Sequence, residues 1–390
     1  MSEWKKCPIG EVVTLRQGFA INAKSKHYMS KEETSLPLLR IADMKNGTKE
    51  VFVKEEIPQR FIAHPEDIIY TRTGNVGLVF RNNYGVMHNN CFSVTPNDAD
   101  ELSRDFLYYA LQNKTFFDTA NALARGAAQP DLPHTSFNSI EFAYPSLFVQ
   151  ERIATILSRY DSLIENYQKQ IKLLEEAAQR LYKEWFVDLH FPGHENTKIV
   201  DGVPEGWEKK SIGEIGEYLN GFAFKPSDWQ DLGKPIIKIK EMGNGVTNET
   251  PRNSGERVPA KYLIKAGDLL FSWSATLMVI IWSGEEGWLN QHLFKVTPVK
   301  GIDREFLLQS ISNAIVEFQN LTTGSTMKHI QRNKLDQVFV NVPNAEIMKR
   351  YSDISEKTRS NILSLQSQLR LLTEARDRLL PKLMSGEITV

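Results

Sequence analysis

This sequence has very few cysteines, no long apolar run and no segment typical of a secretion signal. Only two of the 390 residues are cysteines, Cys7 and Cys91, and their separation does not match a metal-binding pair. The longest apolar run, Leu277 to Trp282, is far too short to cross a bilayer, and no apolar segment follows the charged N-terminal residues. We therefore expect a cytoplasmic protein without a membrane span. A content of 41% hydrophobic and 24% charged residues predicts a soluble globular fold.

Neither sign of charge is in excess. The 47 lysine and arginine residues are balanced by 48 aspartate and glutamate residues, for a net charge of −1. Proteins that bind nucleic acid by themselves usually carry a basic excess, so this balance argues against a free-standing binder. A local basic patch, or phosphate contacts made by partner subunits, would be compatible with it.

The motifs of the common catalytic and cofactor sites are also absent. The single Gly-Lys pair, Gly233-Lys234, lacks the earlier glycine of a phosphate loop. No Pro-Pro dipeptide occurs, so the Asp/Asn-Pro-Pro-aromatic loop of amino-methyltransferases is missing. His190 and His194 lie four residues apart, but without the glutamate of a zincin site. Gly-x-Ser-x-Gly does not occur either. We expect no catalytic residue, metal or cofactor in this chain.

The chain is internally repeated. Residues 4–12 recur at 207–215, an offset of 203 residues, and Gly18-Phe19-Ala20 recurs as Gly221-Phe222-Ala223 at the same offset. The offset drifts to 198 further along, as expected when loops carry small insertions between fixed framework strands. The other matched segments are 37–41 with 235–239, 67–71 with 268–272 and 92–96 with 294–298.

Each repeat begins with segments typical of short strands and continues with a helix. The strands are rich in β-branched and aromatic residues and are bounded by glycine, proline or asparagine. They are predicted at Leu38 to Ile41, Asp67 to Thr71 and Cys91 to Thr95. The helix is predicted at Arg104 to Asn113 and again at Arg304 to Asn313.

A second, much longer helix closes each repeat. Ser146 and Asn344, each directly after a proline, are the predicted N-caps. From Ile153 to Trp185, apolar residues alternate in steps of four and three for nearly five heptads, which is typical of a coiled coil. The corresponding seam of the second helix is interrupted by Ser355, Thr358 and Arg376. The residues predicted to pair the helices are Leu157, Ile164, Ile171, Leu174, Leu181, Ile362, Leu365, Leu369, Leu372 and Leu379.

The matched position and length of the two helices favour their pairing, although two unrelated amphipathic helices packed on their own domains are the alternative. We predict an α+β fold: two repeated mixed α/β domains joined by two long antiparallel coiled-coil helices, pseudo-two-fold and pseudo-cyclic. The C-terminus would then return to the first domain. The predicted segments are a first domain at 1–145, a spacer helix at 146–190, a connector at 191–206, a second domain at 207–343, and a second spacer helix with the C-terminal tail at 344–390.

Three stretches carry a family resemblance. The central junction of type I restriction–modification specificity subunits is resembled by residues 181–188 with 191–195. The start of their second repeat is resembled by residues 203–208, and their C-terminal end by residues 378–388. The resemblance covers the whole chain. It implies two target-recognition domains that each read one half of a split DNA sequence. It also implies two modification subunits that methylate adenine with S-adenosylmethionine, and restriction subunits that use ATP and Mg, with no catalysis in this chain.

Several polar loop residues are candidates for contact with double-stranded DNA. The segment 71–77 combines a guanidinium, hydroxyls and an amide after a predicted strand, a mixture suited to phosphate and base contact. An ordinary polar turn is the alternative. Its counterpart at 272–276 lacks the arginine and both glycines. The candidate residues are Lys24, Lys26, Arg72, Thr73, Asn75, Arg125 and Gln129 in the first repeat, and Lys225, Ser272, Trp273, Ser274, Lys328 and His329 in the second.

Other classes of function stay open at this point. A duplicated interaction scaffold joined by a coiled coil is the main alternative, and the neutral charge favours it slightly. A specificity partner in another bipartite methylation system would have the same architecture. An active single-chain enzyme is least favoured because the motifs are missing.

Overall fold

The computed structural model describes residues 4–126, 128–321 and 332–390. They form two compact units. The first unit is built from Met1–Ile164 and Leu371–Val390, and the second from Glu165–Arg370. The C-terminal segment therefore belongs to the unit that contains the N-terminal domain, as the predicted pseudo-cyclic arrangement requires.

The described residues of the first unit form three sheets and four short α-helices, besides the segments of the two long helices that belong to it. Its sheets pair β1 with β11 and have the orders β2-β10-β7-β8 and β3-β5-β4-β9-β6. The strands are β1 (Lys5–Pro8), β2 (Val13–Gln17), β3 (Met29–Ser30), β4 (Leu36–Leu39), β5 (Phe52–Val53), β6 (Ile62–Ala63), β7 (Ile68–Thr71), β8 (Val79–Phe80), β9 (Gly85–Met87), β10 (Cys91–Pro96) and β11 (Glu141–Tyr144). The short helices are α1 (Ile41–Asn46), α2 (Arg104–Gln112), α3 (Lys114–Leu123) and α4 (His134–Asn138).

A long helix and a short hairpin lead from the first domain to the second. Helix α5 (Leu147–Tyr182) ends in a π-helical turn, Lys183–Val187, and the hairpin consists of β12 (Ile199–Val200) and β13 (Val203–Pro204). The predicted connector is not an open linker, because the Phe191 ring packs against the Trp207 ring with centroids 4.5 Å apart and both rings are buried.

The second unit has the sheet orders of the first, except that no strand corresponding to β3 is found among its described residues. It pairs β14 with β23 and has the orders β15-β22-β19-β20 and β17-β16-β21-β18. The strands are β14 (Glu208–Ser211), β15 (Gly216–Asn220), β16 (Lys234–Ile237), β17 (Arg252–Asn253), β18 (Leu263–Ile264), β19 (Leu269–Ser272), β20 (Met278–Ile281), β21 (Gly287–Leu289), β22 (Leu293–Pro298) and β23 (Phe339–Val342), and the helices are α6 (Ile239–Asn244), α7 (Arg304–Leu321) and α8 (Ala345–Met384).

The shared topology confirms the duplication. In both units one six-residue strand, β10 or β22, pairs antiparallel with the first long strand on one side and with β7 or β19 on the other. In both, the other large sheet contains one parallel pair, β4 with β9 or β16 with β21. The repeated sequence segments are therefore the framework of two copies of one domain.

The two long helices run antiparallel within each unit. In the first unit, Leu157 near the start of α5 shares a core with Leu383 near the end of α8. In the second unit, Trp185 just after α5 contacts Tyr351 near the start of α8, with ring centroids 6.1 Å apart. Asn344 caps α8 as predicted, because its Oδ1 accepts a 3.0 Å hydrogen bond from the amide of Ile347. The predicted fold class is confirmed.

The strand and helix boundaries differ from the predicted ones by one residue at several ends, and by more in two elements. The strand predicted at Leu38 to Ile41 ends at Leu39, because Ile41 begins α1 after an ion pair between Arg40 and Asp43. The helix predicted at Arg304 to Asn313 continues to Leu321. Its buried face continues through Ala314 and Phe318, so burial of that apolar face favours the longer helix.

Among the described residues, no helix is long and apolar enough to cross a membrane. In the same part of the chain, no group of three or more His, Cys, Asp and Glu side chains is placed to hold a metal ion.

Candidate nucleic-acid interface

Four loop segments of the first unit meet at the end of the sheet where β2 and β7 finish and β10 begins. We call residues 17–19, 72–75, 88–90 and 125–131, without residue 127, the first loop cluster. The amides of Phe19 and Arg72 donate to the carbonyls of Met87 (2.6 Å) and Asn90 (2.8 Å). The amide of Gly74 donates to the carbonyl of Pro130 at 2.8 Å. Main-chain bonds thus hold the four segments together.

Gly18 and Gly221 mark the same close approach in the two units. A Cβ at Gly18 would lie 2.2 Å from the carbonyl oxygen of His88, and one at Gly221 would lie 2.1 Å from that of Asn290. Backbone atoms on both sides leave no room for a side chain. The repeated Gly-Phe-Ala motif is therefore a requirement of the framework on which each loop cluster is built.

The guanidinium of Arg72 is held inside the first loop cluster. Its Nε and Nη2 donate to the two carboxylate oxygens of Asp131, at 3.1 and 2.6 Å, and its Nη1 donates to Oε1 of Gln17 at 3.2 Å. The hydroxyl of Thr73 donates to the same carboxylate at 2.6 Å. The hydrogen bonds from Arg72 hold the pKa of Asp131 below its usual value. Contact of Arg72 and Thr73 with DNA stays a prediction.

The turn that follows β7 is repeated after β19. The buried hydroxyl of Thr71 donates to the carbonyl of Asn75, and the buried hydroxyl of Ser272 donates in the same way to the carbonyl of Thr276. Ser272 therefore holds its turn closed, and its side chain does not reach the surface. Asn75, by contrast, is exposed at the turn.

Residues 125–126 and 128–131 are held close together and include two of the candidate residues. Arg125 and Asp131 exchange both backbone hydrogen bonds at 2.8 Å, and Gly126 between them has a φ of 97°, a conformation that glycine favours. Arg125 and Gln129 are exposed. Arg125 makes no ion pair within residues 4–126, 128–321 and 332–390.

The three candidate lysines lie on exposed loops after the Gly-Phe-Ala segments. The amide of Lys24 donates to the side chain of Asn22 at 2.9 Å, and Lys26 begins a short 3-10 turn, Lys26–Tyr28. In the second unit the amide of Lys225 donates to Oδ2 of Asp228 at 2.7 Å. Exposed ammonium groups at these places suit contact with phosphates.

A second loop cluster occupies the equivalent end of the second unit. It consists of residues 220–222, 273–276 and 290–292. The amide of Trp273 donates to the carbonyl of His292 at 3.4 Å, as that of Arg72 does to Asn90. The indole Nε1 of Trp273 donates to Oδ1 of Asn220, which occupies the place of Gln17, at 3.1 Å. The same slot therefore holds an arginine in one unit and a tryptophan in the other. Ser274 is buried beside it.

Sequence reasoning missed several residues of the two clusters, and two candidates lie outside the described residues. The missed residues are Gln17, His88, Asn90 and Asp131 in the first cluster, and Asn220 and His292 in the second. The repeat itself was a usable signal, because a polar residue at the end of β2 recurs at the end of β15. Burial, followed by the charge of Arg40, lowers the pKa of His88. Lys328 and His329 fall in the segment 322–331, outside the described residues.

The residues predicted to pair the long helices all lie on covered faces. Leu157, Ile164, Ile171 and Ile362 are buried. The other six are partly buried: Leu174, Leu181, Leu365, Leu369, Leu372 and Leu379. Among them, Leu379 and Leu181 pack against the hydrophobic cores of the first and second unit, respectively. Their individual roles in pairing stay predictions.

The duplicated fold has a counterpart among solved structures. A structure described as the crystal structure of the type I restriction–modification system S subunit from M. genitalium shares the fold, with a TM-score of 0.59 and 18% identity over 98% of this chain and 96% of that chain. The profile of the type I restriction modification DNA specificity domain matches residues 1–176 and 204–369. The chain belongs to this family.

Two relatives come from Methanocaldococcus jannaschii. The type I restriction enzyme MjaIX specificity subunit is 26% identical over 317 residues, which cover 76% of this chain and 72% of that protein. The MjaVIII specificity subunit is 24% identical over 408 residues, which cover 100% of this chain and 93% of that protein.

Proposed function

We propose that this chain is the DNA sequence-specificity subunit of a type I restriction–modification complex and reads a two-part double-stranded target, one part with each loop cluster. The observation that carries the proposal is the slot after β7 and β19. In both units the backbone amide at this position donates to the corresponding carbonyl, that of Asn90 or His292, but the slot holds Arg72 in one unit and Trp273 in the other. One framework with different side chains is what two different half-sites require.

The chemistry of the complex would then belong to partner subunits in the cytoplasm. Two modification subunits would methylate adenine with S-adenosylmethionine, and restriction subunits would use ATP and Mg. The chain would position them on the DNA and catalyse nothing itself, consistent with the missing cofactor motifs. The purified chain alone should show no methylation, ATPase or cleavage, and adding a modification subunit should produce adenine methylation at a two-part site.

Exchange of one domain tests the reading of two half-sites. Replacing residues 1–145 by the matching segment of a relative should change one half of the methylated sequence and leave the other half unchanged. Mapping of methylated adenines on genomic DNA measures both halves in one experiment. A change in both halves would contradict the assignment of one half-site to each unit. Binding that is insensitive to salt and sequence would favour the interaction scaffold instead.

A further inference from the structure

We propose that Asp131 is a positioning residue that fastens two loops of the first loop cluster together, with Arg72 as its internal brace, and that Arg125 is the cation this cluster presents to DNA. The inference rests on the proposed function of the chain as a DNA reader. It assigns different roles to two arginines that the sequence alone places in one group.

The contacts of Asp131 reach both loops at once. Its carboxylate accepts two hydrogen bonds from Arg72 and one from Thr73, all on the loop after β7. Its backbone exchanges two hydrogen bonds with Arg125, which lies on the same loop as Asp131 itself. A carboxylate that receives a forked pair from a guanidinium fixes the angle as well as the distance between the groups. Asp131 therefore sets where Arg125 leaves the framework.

The bonds of Arg72 leave it poorly placed to read a base directly. Recognition of guanine by arginine needs two free N–H groups side by side on one edge of the guanidinium. Asp131 occupies the edge formed by Nε and Nη2, and Gln17 accepts a further hydrogen bond from Nη1. Three of the five N–H groups of Arg72 are therefore engaged inside the loop cluster, and its guanidinium is held in place by them. Arg125 is exposed and has no ion pair among the described residues, so its guanidinium is available for a phosphate or a base.

The two repeats support the pairing of Arg72 with Asp131. At the 198-residue offset that aligns Arg125-Gly126 with Thr323-Gly324, Asp131 corresponds to His329. The position of Arg72 is taken by Trp273 in the same repeat. The first repeat thus has both the arginine and the carboxylate, and the second repeat has neither, as expected if the two residues act as a pair.

The ion pair between Arg72 and Asp131 is charged at neutral pH. Arg72 lowers the pKa of Asp131, so its carboxylate is ionised at pH 7. Because this folded-state pKa is depressed, the stabilising contribution of the pair is fully present above about pH 4, the unfolded value, and is lost only as the pH falls through the lower folded value.

The test replaces the carboxylate without changing its size. The Asp131→Asn chain, in complex with its modification subunit, is used to select sequences from a library of random duplex DNA. We expect discrimination at one or more positions of the first half-site to fall at least tenfold, while the second half-site is unchanged. The salt dependence should become steeper by about one phosphate contact, because Arg72 is released. An unchanged first half-site would overturn the proposal.

Three further variants separate positioning from stability. Asp118→Asn removes a carboxylate that pairs on the surface of α3 with Lys114 at 2.8 Å, and should match the wild type. Arg72→Lys keeps the charge but not the fork, and should reproduce the relaxed half-site of Asp131→Asn. Arg125→Ala truncates an exposed side chain, so the fold should survive. It should relax one position or lower the salt slope by about one, and wild-type behaviour would overturn the assignment of Arg125.

Two different failures are distinguishable in this design. If the wild-type complex shows no base preference at all, the proposed function itself is wrong. If the wild type selects a two-part sequence and Asp131→Asn selects the same sequence with the same stringency, only the role of Asp131 is wrong.

Discussion

Gly221 shows at the scale of one residue why part of the repeat is invariant. A methyl group there would lie 2.1 Å from the carbonyl oxygen and 2.3 Å from the carbonyl carbon of Asn290, so the main chain of the β21–β22 turn would have to move. We predict that Gly221→Ala destabilises the second unit by about 1–3 kcal/mol or more, the usual cost of overpacking. Denaturant unfolding, with hydrogen exchange of peptides from 207–321, measures the effect.

Gly243→Ala is the matched control in the same unit. The nearest atom to a Cβ at Gly243 is Cε of Met278, at 3.8 Å, and Gly243 lies within α6. Alanine should be neutral there or stabilise the helix by up to about 1 kcal/mol. Equal destabilisation by both substitutions would show that close backbone approach is not what keeps Gly221.

The loop after β7 could be predicted from the sequence, but the state of its arginine could not. The mixture of residues in 71–77 indicated a polar loop at a strand end, and the structure places it in the first loop cluster. The partner of Arg72 is Asp131, 59 residues away along the chain, and no local pattern connects the two. The hydroxyl at Ser272 was similarly ambiguous, because a serine after a strand can face solvent or close the turn.

At the scale of elements, the interruptions in the second helical seam have specific partners. Arg376 of α8 donates to Oδ1 of Asp161 on α5 at 3.0 Å within the first unit, and Ser355 is buried within the second. The heptad pattern therefore predicted the two helices and their covered faces correctly. It could not predict which polar residues on those faces are paired, because that depends on the domain packed beside each helix.

A buried ion pair joins α8 to α7 in the second unit. Arg359 donates to both carboxylate oxygens of Glu305, at 2.8 and 2.7 Å, and both side chains are buried. The corresponding position of α5 carries Asp161, which pairs with Arg81 at 3.5 Å in the first unit. The long helix therefore carries a cation at this position in the second unit and an anion in the first. In each unit the residue that pairs with it has the opposite charge.

We predict that Arg359→Met destabilises the second unit by about 3–5 kcal/mol, because the substitution leaves the carboxylate of Glu305 buried without its partner. Arg359→Asp should be worse, since it places two carboxylates together. The double variant Glu305→Arg, Arg359→Asp should recover part of the loss. Denaturant unfolding of the wild type, the single variants Glu305→Arg and Arg359→Asp, and the double variant gives the coupling free energy.

The exposed pair Lys349–Asp353 on the same helix is the control. Its atoms are 3.2 Å apart, but both side chains are mostly exposed. Lys349→Met should change stability by no more than about 0.5 kcal/mol. A similar small effect for Arg359→Met would mean that the buried pair contributes no more than a surface pair.

At the scale of the whole molecule, each unit is assembled from segments that are far apart in sequence. Trp185 and Leu383 occupy corresponding positions after a 198-residue offset. Trp185 belongs to the core of the second unit, with Phe186 and Tyr351, whereas Leu383 belongs to the core of the first, with Ile153 and Leu157. The repeat and the predicted antiparallel pairing of the two long helices were enough to predict that the C-terminal segment returns to the first domain. The sequence did not indicate that Trp185, just after the first long helix, and Leu383, near the end of the second, are both buried.

Leu383→Ala should therefore destabilise the first unit, although it lies only seven residues from the C-terminus. Leu383 is 1% exposed, and truncation of a buried leucine costs about 2–5 kcal/mol. Hydrogen exchange should accelerate in peptides from residues 4–126 and stay unchanged in peptides from 207–321. Trp185→Ala should give the reverse pattern. Leu371→Ala, at a side chain that is 54% exposed, should change neither. If Leu383→Ala left residues 4–126 protected, the C-terminal segment would not be part of the first unit's cooperative core, and its assignment to that unit would be wrong.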